Sequence, residues 1–259
     1  MSLTQTYLQK SRELIEIVSA QEDNIAKAAD LFAETILADR MVHVFGSGHS
    51  RMMTEEMWPR YGSFPGFNPI VELSLSFHNL VVGCNGQRQA MFLENASGLA
   101  EQILRNFELS EKDTALVISS SGCNRVPIEM AELFQKQGIK VVALVSKLHS
   151  NASKTKDTRG KKLSDFADLI LDTGAPVGDA MIDIQGLDTP VSPGSTLGGC
   201  LVINSIKAEV AQRLTDAGQP PKVLTAGAVI GAERATEIFQ AAYDEHGRRL
   251  SRYYATLGI

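Results

Sequence analysis

Two short stretches hold residue types that can grip an anion. Ser119-Ser120-Ser121-Gly122-Cys123-Asn124 sets three hydroxyls, a glycine and a carboxamide side by side. Hydroxyls donate hydrogen bonds to phosphate oxygens, and a glycine lets the backbone come close to a ligand. Gly46-Ser47-Gly48-His49-Ser50 repeats the pattern, with glycines for a tight backbone and hydroxyls for an anion. For either stretch alone, an ordinary helix cap with spare serines is the competing reading. Two such turns on neighbouring strands can converge on one ligand, a stronger argument than either supplies alone.

Both stretches need a strand before them and a helix behind. Ala115-Leu116-Val117-Ile118 reads as a buried strand, and Arg125-Val126-Pro127-Ile128-Glu129-Met130 as a helix with proline in its first turn. The turn between them meets the positive end of a helix dipole and free N–H groups, a place that suits phosphate. Met41-Val42-His43-Val44-Phe45 and the segment Arg51 to Trp58, ended by Pro59, form the second such unit. Residues 5–38 predict one or two amphipathic helices, with Leu14, Val18, Ile25, Ala29, Phe32 and Ile36 on one face. Residues 62–69 carry turn chemistry, and alternation from Val71 to Phe77 predicts a half-buried strand. A helix is expected from Met91 to Phe107, a strand at 140–145, a polar turn at 146–153, an exposed charged stretch at 154–162 and a strand at 167–172. Residues 173–194 form a long loop of the kind that is functional or disordered. A helix capped by Ser195 or Thr196 runs to about Thr215, and a last one covers Glu233 to Tyr254. Alternating strands and helices predict an α/β fold. It is a doubly wound parallel sheet of flavodoxin type, flanked by helices, with ligands beyond the carboxyl ends of the strands. The expected organisation is one folding unit: a helical extension at 1–40, a ligand-binding domain at 41–217 and a helical extension at 218–259.

The 259 residues carry a net charge of −5, and the longest basic cluster is Arg159-Gly160-Lys161-Lys162, so no nucleic-acid partner is expected. Cys84, Cys123 and Cys200 are far apart and odd in number. That argues against a disulfide framework or a thiolate metal site and for a reducing cytoplasm. No apolar run is long enough to span a membrane, and Met1 to Lys10 lacks a signal-peptide profile, so no membrane association is expected.

Together, the GSGHS turn at Gly46–Ser50, the serine turn at Ser119–Asn124 and the polar turn at Ser146–Ser150 resemble the SIS (sugar isomerase) phosphosugar-binding family. The resemblance covers roughly residues 10 to 255. It is closest to a stand-alone bacterial subgroup that also carries GDAM, here Gly178-Asp179-Ala180-Met181. Phosphoheptose isomerases and N-acetylmuramate 6-phosphate etherases are related branches. The resemblance implies that Ser119, Ser120, Ser121 and Asn124, with the backbone at Gly122, hold the phosphate of a sugar phosphate. Ser47, Gly48, His49 and Ser50 would contact the phosphate or the sugar hydroxyls. It implies a homodimer or homotetramer. It also points to Glu94 as the counterpart of the etherase's catalytic glutamate. The zinc-ligand positions of the heptose isomerases fall on Glu55 and Pro59, so no metal or other cofactor is expected.

Isomerisation and β-elimination of a sugar phosphate share a first step, removal of the proton on carbon 2. A buried carboxylate suits the base, and a histidine or hydroxyl can polarise the carbonyl. Glu94 is the candidate base and His78, at a strand end, the candidate acid or polariser. The competing readings are a solvent-facing glutamate and a capping histidine. His49, Glu55, Glu56 and Asp179 are weaker candidates, and His149 and His246 are expected to face solvent. Three functions remain open: a metal-independent isomerase, a lyase or dehydratase of a 2-acetamido-sugar 6-phosphate, and a non-catalytic phosphosugar sensor.

Overall fold

The computed structural model describes residues 1–76 and 86–254. His78, Cys84 and Phe77 lie outside the described residues. Helices α1 (Leu3–Ser19) and α2 (Glu22–Leu37) lead into strand β1 (Val42–Gly46), then α3 (Arg51–Met57) and β2 (Phe67–Ile70). Next come α4 (Arg88–Leu93), α5 (Leu99–Leu104), β3 (Thr114–Ile118), α6 (Arg125–Lys136), β4 (Lys140–Val145), α7 (Lys147–Ala152) and β5 (Leu169–Asp172). The long helix α8 (Ser195–Asp216), a short α9 (Gly227–Ile230) and α10 (Ala232–Ser251) complete the described chain.

The five strands form one parallel sheet in the order β2-β1-β3-β4-β5. Parallel strands need crossover helices, and those helices cover both faces. Successive side chains point to opposite faces. Accordingly Leu116 and Ile118 enter one core, with Phe32 and Ile36 of α2 and Ile203 and Val210 of α8. Ala115 and Val117 enter the other, with Val126 and Phe134 of α6 and Leu104 of α5. Helix α8 lies very close to β5: a Cβ on Gly198 would fall 1.8 Å from the Thr173 carbonyl oxygen. Among the described residues, no helix is long and apolar enough to cross a membrane.

The amino end of the sheet is fastened by a buried polar cluster. Asp113 accepts from Arg40 Nε and Nη2 at 2.7 and 2.9 Å and from the Tyr253 hydroxyl at 2.8 Å, while His43 Nε2 lies 3.3 Å away. The Tyr253 hydroxyl in turn accepts from Met41 N at 2.8 Å. Burial raises the Asp113 pKa, but the hydrogen bonds from His43, Arg40 and Tyr253 outweigh it and bring it down to about 2. Tyr253, just after α10, is thereby tied to the start of β1.

Several expectations change. The second strand is Phe67–Ile70, not 71–77. It is an edge strand, so Pro69, opposite Val44, needs no ladder partner on its outer side. Leu73–Leu75 instead form a 3-10 turn, because the Glu72 carboxylate takes the Ser74 N–H and hydroxyl at 3.0 and 2.7 Å. The 91–107 helix is broken into α4 and α5 at Gly98, which sits at φ 82°. The polar turn at 146–153 is helix α7, capped by Ser146 Oγ on His149 N. His246 does not face solvent: it is buried edge-on against Trp58, with ring centroids 4.5 Å apart. Burial pushes its pKa down. Asp157, in the stretch expected to be exposed, is also buried, and Arg159 pairs with it.

Candidate active site

The two serine turns leave the carboxyl ends of β1 and β3, which are neighbours, and line one cleft of about 240 Å³. Gly46 ends β1 where a Cβ would meet the Ser50 carbonyl oxygen at 2.6 Å, so only glycine lets the chain turn back there. In the second turn Gly122 sits at φ 61°, and its N–H is held by Ser119 O and Oγ at 3.1 and 3.2 Å. Ser121 Oγ accepts from Cys123 N at 3.2 Å, which leaves its own hydrogen to donate. Ser120 Oγ is buried without a hydrogen-bond partner. The helix N-terminus itself is less open than the sequence implies. The first two N–H groups of α6 are taken by Asn95 Oδ1 and Glu94 O, at 3.4 and 2.9 Å. What this turn can offer an anion is therefore its hydroxyls and the dipole of α6. Among the described residues, arginine and lysine are absent from the cleft lining.

Glu94 stands at the end of α4 and reaches both turns. Its carboxylate accepts from Ser47 Oγ at 2.9 Å and from Asn124 Nδ2 at 2.7 Å. Burial raises its pKa, and the Ser47 hydrogen bond opposes this only in part. Asn124, expected on the phosphate, thus spends its amide on Glu94. The cleft also holds Gly48, His49 and Ser50, in a 3-10 turn, together with Leu75, Gln87 and Met91. Across the cleft the long loop contributes Asp179, a non-glycine residue at φ 56°. Its carboxylate caps α8, accepting from Gly194 N, Ser195 N and Ser195 Oγ at 3.0, 2.7 and 2.6 Å. His149 of α7 lines the cleft too, and its Nδ1 accepts the Gly178 N–H at 3.1 Å.

A family profile described as "SIS domain" matches residues 6–146. Among curated proteins, a Listeria innocua UPF0309 protein is 32% identical over 92% of this chain and 93% of its own length. A Brucella canis UPF0309 protein is 36% identical over 83% of this chain and 86% of its own. The chain is a SIS-domain protein of the UPF0309 group. Among solved structures, a phosphoheptose isomerase from Francisella tularensis superposes with a TM-score of 0.52 at 15% identity, covering 81% of this chain and 96% of that one. Another from Neisseria gonorrhoeae also gives 0.52, at 14% identity, over 82% of this chain and 97% of that one. These likenesses show that the SIS fold is shared.

The positions that the resemblance matches to the heptose isomerases' zinc ligands are Glu55 and Pro59. Glu55 is exposed and lies 3.7 Å from Arg51, and Pro59 has no ligating atom. Among the described residues, no three His, Cys, Asp or Glu side chains come together as metal donors. Glu56 turns away from the cleft toward Lys207 and Arg60. Cys123 points its Sγ at Ser153 O, and burial pushes its thiol pKa up, which disfavours the thiolate. A larger cavity, about 470 Å³, lies at the amino end of the sheet, but its Arg248, Arg249, Lys222, Asp39 and Glu245 are paired with one another. Sequence reasoning missed His149, although its position just beyond the carboxyl end of β4 matches that of the two serine turns.

Proposed function

We propose that the cleft binds a phosphorylated sugar and that Glu94 removes the proton on carbon 2, giving an enediolate that proceeds to isomerisation or β-elimination. The observation that carries this reading is the Glu94 carboxylate, half-buried and held against both hydroxyl turns. A carboxylate whose pKa is raised by burial is the stronger base, and a phosphate gripped by the serine turns supplies positioning energy away from the reacting carbon. Ser120 and Ser121 donate to the phosphate, while Ser47, whose hydrogen goes to Glu94, accepts from a sugar hydroxyl, and the reading calls for no resident metal or cofactor. Two fold neighbours are phosphoheptose isomerases, which supports a sugar phosphate as the substrate class for this chain as well.

We also propose that two or four copies associate. Leu8 and Ile15 of α1, and Met91 and Phe92 beside the cleft, are large apolar side chains left exposed, and a second copy of the chain covers them. Sedimentation showing only monomer at micromolar concentration would remove this part.

The test is deuterium exchange at carbon 2, followed by proton NMR with and without chelator, over aldose, ketose and N-acetylamino-sugar phosphates. Exchange that disappears in Glu94→Gln, with phosphosugar binding retained, is the expected result. The product then separates isomerase from lyase, the branch that the Glu94 position favours. Binding without exchange by the native protein would make it a sensor instead.

A further inference from the structure

His149 was expected to face solvent; instead it lines the cleft, with Nδ1 accepting the backbone N–H of Gly178 at 3.1 Å. A backbone N–H can only donate, so Nδ1 must present its lone pair. In that contact the ring proton sits on Nε2, which is left to donate. The donor is itself held in place. Gly178 sits at φ 80°, and the next residue, Asp179, is locked to the start of α8 by three hydrogen bonds. Ser146 fixes α7 from the other side, taking His149 N at 3.1 Å and donating to Ala175 O at 2.7 Å.

Resting on the reading of Glu94 as the enolising base, we infer that His149 Nε2–H is the hydrogen-bond donor to the sugar's carbonyl oxygen, and that Gly178 is the positioning residue that sets its tautomer. Glu94 takes the carbon-2 proton. The C–H electron pair becomes the C1–C2 double bond, and the carbonyl π pair moves onto oxygen. That oxygen carries the negative charge Glu94 has lost and accepts the Nε2–H bond, the proton staying on nitrogen. Where the described lining offers no arginine or lysine, such a donor meets the charge that develops on oxygen.

The experiment has two readouts. Long-range proton–nitrogen correlation of ¹⁵N-labelled protein, assigned with His149→Ala, should show Nδ1 bare and Nε2 protonated at neutral pH. An Nδ1–H tautomer or an imidazolium would overturn the inference. In the carbon-2 exchange assay, His149→Ala should be slowed by about 10²- to 10³-fold with inorganic phosphate affinity unchanged. His149→Gln, whose amide nitrogen overlies Nε2, should recover at least about tenfold of that loss. His149→Ala exchanging like the native protein would sink the role. If the native protein exchanges no sugar phosphate, it is the Glu94 reading that fails. His149 is then judged by titrating N-acetylglucosamine 6-phosphate and fructose 6-phosphate, and an Nε2–H signal that neither moves would reject it.

Discussion

The carboxylate of Glu94 and the amide of Asn124, 30 residues apart in the chain, meet at 2.7 Å. This contact joins the end of α4 to the cap of α6, and the carbonyl of Glu94 reinforces it by accepting Val126 N at 2.9 Å. The candidate base is thus mounted on the same turn that carries the serine hydroxyls.

Asn124 donates to the ionised form of Glu94, so losing it disfavours that form. The base must be deprotonated to act. Burial already holds the Glu94 pKa above its ordinary 4.5, so exchange should fall as pH drops through that raised value. In Asn124→Ala the acid limb of the pH–rate profile moves to higher pH, with exchange at acid pH about tenfold lower and a smaller change on the plateau. A limb at the native position would show that the amide does not tune the base.

Ser121→Ala removes a hydroxyl hydrogen free to donate to phosphate. Affinity for phosphorylated sugars should weaken by about tenfold or more, as expected for a hydrogen bond to a charged group. Gly122→Ala combines a positive φ with Cβ contacts at 3.3 Å to Leu163 and Val145, and should cost about 1–2 kcal/mol of stability. Calorimetric titration and thermal unfolding check the two. Equal affinity in Ser121→Ala would move the phosphate elsewhere.

Gly198→Ala drives a methyl into the Thr173 carbonyl oxygen, 1.8 Å away. Backbone on both sides leaves no flexible neighbour to yield. A loss of about 1–3 kcal/mol is expected, read as a lower Tm. An unchanged Tm would mean that α8 and β5 are not packed as described.

Asp113 is held at about 2, below its ordinary 3.8. A carboxyl with a lowered folded-state pKa stabilises the fold above its unfolded pKa. That contribution, about 2 kcal/mol here, is lost as pH falls from 3.8 toward about 2. Urea unfolding should therefore show Asp113→Asn less stable than native at neutral pH, with the gap closing near pH 2. Tyr253→Phe should cost about 1–3 kcal/mol, because Met41 N is left buried and unpaired.

The sequence by itself determined four of the sheet's five strands, the two serine turns and their location, because each rests on local chemistry. Apolar runs such as Val141–Val145 bury on both faces whatever their neighbours do, and a glycine–serine turn after a strand opens onto a helix. Glu94 was also legible, though only through resemblance to a family. Local pattern failed where a distant group decided the outcome. Pro69 is tolerated because β2 lies at the sheet edge, and Glu72 captures Ser74 before a strand can form. Tertiary structure alone turned Asn124 from phosphate to Glu94, closed the first N–H groups of α6 and brought His149 to the cleft. Each of those outcomes depends on partners about 30 residues away, Glu94, Asn95 and Gly178, whose approach is fixed by the packing of the loops rather than by any spacing in the chain.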